Sequence, residues 1–102
     1  MYIYNITFNL EESIEQDWQK YVKQTFIPAM LQSGLLQSAL TSKIMVKEQQ
    51  GVSYSIQFTT KDNATLKQFI DAELYPILNK LHLKYAPKMV FFATELSVID
   101  EQ

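Results

Sequence analysis

The chain contains no cysteine and no arginine. Without cysteine there are no disulfide frameworks, cysteine zinc sites, thiol nucleophiles or redox pairs. Without arginine the usual bidentate partner of phosphates and guanine edges is missing. All 9 basic residues are lysines, dispersed among 11 acids, and the formal net charge is −2. That pattern describes a solvated surface rather than a nucleic-acid stripe. Glycine and proline are scarce, at 2 and 3 residues, so no linker or biased tract divides the chain, and residues 1–102 are expected to form a single domain. No apolar run reaches the length of a membrane span. The N-terminus enters strand-like alternation at once, without the basic-then-apolar order of a signal peptide, so a cytoplasmic residence without a membrane is expected. One histidine and scattered carboxylates make no metal set, and neither a metal nor a cofactor is expected.

What is present suits a compact core: 47% hydrophobic and 13% aromatic residues against 20% charged. Tyr2 to Leu10 alternates strictly, with Tyr4, Ile6, Phe8 and Leu10 opposed to Asn5, Thr7 and Asn9, the pattern of a half-buried strand. Ser13 with Gln16 reads as a capping box. Ile14, Trp18, Tyr21, Val22 and Phe26 then follow at helical spacing. Ile27-Pro28 predicts an end or sharp bend, a short second turn and a stop at Gly34. Weaker alternation runs from Leu36 to Glu48, with Leu40, Ile44 and Val46 on one side. After a turn at Gln49-Gln50-Gly51, the clear strand Val52, Tyr54, Ile56, Phe58 completes a hairpin. Asp62 or Asn63 caps a second helix with the stripe Leu66, Phe69, Ile70, Leu74, Ile77, Leu78 and Leu81, kinked at Pro76 but continuous. Lys88 to Ile99 is a last strand.

The order β-α-β-β-α-β implies an α+β, ferredoxin-like sandwich. Its four-stranded antiparallel sheet carries both helices on one face, because right-handed crossovers land on the same side. The other face is left bare. With apolar sides turned to the helices, it would show Asn5, Thr7 and Asn9, then Thr41, Lys43 and Met45, then Ser53, Ser55, Gln57 and Thr59. The last strand offers Phe91, Ala93, Glu95, Ser97 and Ile99, but its two sides are too similar to decide between them. Small uncharged polar groups suit a face that is covered but wet, as between two copies packed sheet to sheet around a cavity; a plain solvated Ser/Thr-rich face is the alternative, since exposed strands also favour threonine.

Several stretches carry a resemblance: Ile3-Tyr4-Asn5-Ile6-Thr7, Trp18, Ile27-Pro28 with Gly34, Tyr54-Ser55-Ile56-Gln57-Phe58, and Phe92-Ala93-Thr94-Glu95-Leu96-Ser97-Val98-Ile99. In these the chain resembles an uncharacterised bacterial family, a domain of unknown function of Bacteroidetes. The resemblance implies a dimeric α/β-barrel type of ferredoxin-like fold and supplies no activity.

Three functional readings follow. In the first, a homodimer joined through the open sheet face binds a small, neutral or weakly polar molecule, with Asn5, Gln57 and Glu95 as polar contacts. In the second, the domain is a structural or regulatory interaction module without a ligand. The third is a cofactor-independent, monooxygenase-like enzyme with His82 or Glu95 as acid or base. Other users of this architecture need residues absent here: a cysteine pair in copper chaperones, an arginine in acylphosphatases, central-strand aromatics in RNA-binding sheets. Trp18 belongs to a helix stripe and is expected in the core.

Overall fold

A computed structural model describes residues 1–46 and 50–102. Four strands form one antiparallel sheet in the order β2-β3-β1-β4. They are β1 (Tyr2–Leu10), β2 (Ser38–Ile44), β3 (Val52–Thr60) and β4 (Met89–Ser97). The expected turn residue Gln49, and the expected extension of β2 to Glu48, lie outside the described residues. Gly51 holds φ at 75°, and a Cβ there would overlap the carbonyl oxygen of Leu10, so only glycine brings β3 in beside the end of β1.

Each crossover is one long, irregular helix. The first begins with a 3₁₀ turn (Glu12–Ile14) and continues as α1 (Glu15–Tyr21). A π-turn (Val22–Phe26) then leads into α2 (Ile27–Leu31). The second is α3 (Asn63–Phe69), a π-turn (Ile70–Leu74) and α4 (Tyr75–Tyr85). The two widened turns stand at equivalent places, each running into an X-Pro pair, Ile27-Pro28 and Tyr75-Pro76. Proline has no N–H and its ring collides with the carbonyl four residues back. A π-turn displaces that carbonyl and lets the helix continue. Of the end or sharp bend expected at Ile27, the end is therefore absent, and the continuity expected past Pro76 is present. The Ser13–Gln16 capping box does not form: Ser13 lies within the 3₁₀ turn, and Ile14 precedes α1 with no side-chain cap. Asp62 does cap α3, its Oδ1 accepting from Thr65 N at 2.8 Å. Gly34, at φ 78°, follows α2, with its N–H donating to Leu31 O.

The core lies between the helices and one side of the sheet. Ile6, Phe8, Leu10, Trp18, Phe26, Met30, Ile56, Phe58, Leu66, Phe69 and Leu81 are fully enclosed. Phe8 is its aromatic centre, meeting Trp18 edge-on at 5.2 Å and Phe26 at 6.3 Å. The sequence expectation of Trp18 as a core residue holds.

Candidate functional site

Strand register fixes what the uncovered face displays, because directly paired residues share a face. Four rows cross it: Ser38, Thr59, Ile3, Leu96; Leu40, Gln57, Asn5, Thr94; Ser42, Ser55, Thr7, Phe92; and Ile44, Ser53, Asn9, Val90. None of these side chains is charged. The two central strands are polar and partly self-satisfied. Asn5 donates from Nδ2 to Thr7 Oγ1 at 3.1 Å and accepts at Oδ1 from Ser55 Oγ at 2.5 Å. Asn9 Nδ2 donates to Ser53 Oγ at 3.1 Å, and the hydroxyls of Ser38 and Thr59 lie 2.5 Å apart. The two edge strands supply apolar rails, where Leu40, Val90 and Phe92 are 61%, 64% and 62% exposed.

The edge strand β2 presents the opposite side from the one expected, and β4, whose two sides are too alike in sequence to choose between, turns Phe91, Ala93 and Glu95 to the helices. On β2, Leu40 and Ile44 point to the open face, while Thr41 and Lys43 pair with Ile56 and Tyr54 on the helix side. On β4, Phe91, Ala93, Glu95 and Ser97 pair with Phe8, Ile6, Tyr4 and Tyr2 on the helix side. The expectation assumed that apolar positions always turn toward the helices. At the sheet edges the helices give little cover, and the exposed apolar side chains face away from them. Consequently Asn5 and Gln57 are neighbours, but Glu95 stands on the other side of the sheet. It lies beside Tyr4, whose hydroxyl is pushed above its ordinary pKa by burial and then by the Glu95 charge. The three residues proposed as one set of ligand contacts do not converge. Asn5 has its amide engaged, and Gln57 sits at the centre of the face with no side-chain hydrogen bond among the described residues.

On the helix side, two clefts occupy related positions. Each lies between a π-turn and the adjacent edge strand. The first, about 440 Å³, is lined by Trp18, Gln19, Val22, Lys23, Ile27, Thr41, Lys43 and Tyr54. Tyr54 and Lys43 both donate to Glu15 Oε2, at 2.6 and 2.9 Å, and Gln19 donates to the Tyr54 hydroxyl. These donors, Tyr54 first, hold the Glu15 carboxyl below the usual carboxylate range. Burial, and then the bond to Glu15, raise the Tyr54 hydroxyl. The network ties α1 to β3 and to the edge strand β2. Nothing in the sequence signals it, since Glu15 and Tyr54 are 39 residues apart.

The second cleft, about 340 Å³, is lined by Ile70, Leu74, Tyr75, Leu78, Asn79, His82 and Phe91. His82 lies in it, half-buried, its ring edge-on to Phe91 at 5.9 Å. Its Nδ1 is buried without a partner. No carboxylate lines this cleft, so the acid–base role expected of His82 has no orienting carboxylate within it. Groups of three or more metal-ligating side chains are absent among the described residues. No helix of the described residues is long and apolar enough to cross a membrane.

Solved structures share this architecture. An ethyl tert-butyl ether D (EthD) family protein from Bacillus halodurans is 14% identical at a TM-score of 0.73, covering 97% of this chain and 100% of its own. A dimeric ferredoxin-like protein from an uncultured marine organism is 13% identical at 0.70, covering 99% and 97%. An Arabidopsis thaliana protein is 8% identical at 0.66, covering 97% and 99%. At these identities the likeness is one of fold. No curated protein sequence matches the chain. A family pattern does, across residues 1–99: the chain belongs to the family described as Domain of unknown function (DUF4286).

Proposed function

We propose that the chain works as a homodimer whose two sheets pack open face to open face, with the helical layers and their clefts turned outward. One observation carries this: the open face bears no charged side chain, yet it exposes Leu40, Val90 and Phe92 along its rims. A sheet face that stays in water is normally kept apart from other sheets by lysine and glutamate. A neutral face is self-complementary under a two-fold axis, because no like charges meet. With strands ~4.8 Å apart and ~3.3 Å per residue, four strands give roughly 500 Å² in projection before side-chain relief is added. That approaches the ~800 Å² per partner of a standard interface. A protein of similar fold is itself described as dimeric, which supports the reading. Native mass spectrometry of the protein as purified tests it. A species at twice the 11.9 kDa of the chain is expected, and a monomer at all concentrations would overturn the proposal.

A second reading keeps a small neutral ligand between the sheets, and the observation favouring it is the unpaired amide of Gln57 at the centre of the face. Gln57→Leu separates the two. Loss of retained small-molecule mass with the dimer intact supports a pocket, whereas an equal or tighter dimer with no ligand lost supports packing alone.

A further inference from the structure

We propose that the cleft between α4 and β4 is a binding site for a small, neutral, ring-bearing molecule with a hydroxyl or carbonyl group, which hydrogen-bonds to His82. Four residues of α4, Tyr75, Leu78, Asn79 and His82, follow one another at helical positions i, i+3, i+4 and i+7 and so share one face. All four line the cleft, and Phe91 of β4 stands across it. Polar groups therefore recur along one wall, one per turn, while Ile70, Leu74 and Phe91 make the rest apolar. This is the composition of a small-molecule site: an apolar body with a few placed hydrogen-bonding groups. A volume of about 340 Å³ sits at the lower end of the ~300–1,000 Å³ typical of such sites, which suits one or two fused rings.

The charge balance sets the ligand class. No lysine, aspartate or glutamate lines this cleft, so an anion or cation would enter it unpaired, at a desolvation cost nothing repays. The other cleft differs, with Lys23 and Lys43 on its rim. The aromatic groups here, Phe91 and Tyr75, offer faces and edges to a ring. His82 supplies the polar anchor. Its Nδ1 is buried and unpartnered, whereas Nε2 is not among the buried atoms and makes no hydrogen bond to any described residue. A side chain held in that state spends no hydrogen bond on the fold, and its accessible nitrogen is available to a ligand. The inference does not depend on the sheet-to-sheet dimer, since the cleft opens on the helical side.

The test uses 2-naphthol, a neutral fused ring with one hydroxyl, and naphthalene-2-sulfonate, the same ring with a fixed charge. The protein has a single histidine, so its imidazole proton resonances report this site alone. 2-Naphthol is expected to move those resonances saturably. The sulfonate is expected to bind at least tenfold more weakly. His82→Gln, checked for an unchanged melting curve, is expected to weaken 2-naphthol by about tenfold, the worth of one hydrogen bond. Unmoved imidazole resonances up to the solubility limit of 2-naphthol would overturn the proposal in the wild-type protein, whatever the variant does. Equal binding of the sulfonate, or undiminished binding by a folded His82→Gln, would overturn it too. Oligomeric state, read on the same samples, keeps this result separate from that of the dimer.

Discussion

Phe92→Asp is the substitution that weighs the open face most directly. Phe92 leaves 62% of its surface exposed. On the ~200 Å² of an aromatic side chain that is roughly 120 Å², worth about 3 kcal/mol at ~25 cal/mol per Å² when a second sheet covers it. A two-fold interface carries the change twice, for an upper bound of ~6 kcal/mol, and the introduced carboxylates would be desolvated in addition. If only half of that bound is realised, the dimer dissociation constant rises about a hundredfold. The isolated protomer should hardly notice, because the side chain is exposed and surface substitutions stay within ~0.5 kcal/mol. Sedimentation velocity over a concentration series measures the constant. Leu83→Asp is the control: Leu83 is 70% exposed but lies on α4, in the layer turned away from the sheet. The dimer constant should also change little with added salt, since the face carries no charge to screen. A Phe92→Asp protein that dimerises like wild type, or in which Leu83→Asp does equal harm, would refute the argument.

Two further expectations concern the fold. Gly51→Ala forces a left-handed φ on a Cβ that would overlap the Leu10 carbonyl. It should cost roughly 2 kcal/mol or more and lower the melting temperature by about ten degrees, read by circular dichroism. The pH dependence should fall on the alkaline side. Tyr4, Tyr54 and Tyr85 all have hydroxyls held above their ordinary pKa, chiefly by burial, with Tyr85 also donating to Asp17 at 2.7 Å. A raised folded pKa contributes stability that is complete below the unfolded value of about 10 and declines as pH rises beyond it. Tyrosinate absorbance should therefore show a delayed component that appears together with unfolding. A single ordinary titration before unfolding would contradict the burial.

The order of elements and the sheet's antiparallel pairing were legible because β1, β3 and both helix stripes carry clean periodicities. Those elements meet the core on one side and polar surroundings on the other. The edge strands misled for a physical reason. Alternation tells which residues share a face, but not which face the helices cover. Leu40 and Ile44 share a face as their alternation says, but it is the open one, and the two sides of Met89–Ser97 are too alike for the pattern to choose between them. Asn5 and Gln57 were legible as polar positions of one open face, and the pairing makes them neighbours, whereas the clefts leave no mark in the sequence. They depend on where a helix stands relative to an edge strand, and Thr41, Lys43 and Phe91 carry no local sign of that. The π-turn does leave one signal in the sequence. The enclosed residues Trp18, Val22, Phe26 and Met30 recur every four positions, more slowly than the ~3.6 residues per turn of an α-helix.

That slow recurrence says something about chain length. The first crossover helix holds one residue more than its packing uses, and the surplus lies among Lys23, Gln24 and Thr25, all exposed. Shortening the helix there by one residue would turn the four-by-four spacing into four-three-four, the natural stride of an α-helix, with the same side chains inward. What resists is Pro28, which in a regular turn would meet the carbonyl that the π-turn now swings aside. The surplus residue and the proline are therefore a single trait of this chain: either one alone is a defect, and together they let the helix run on.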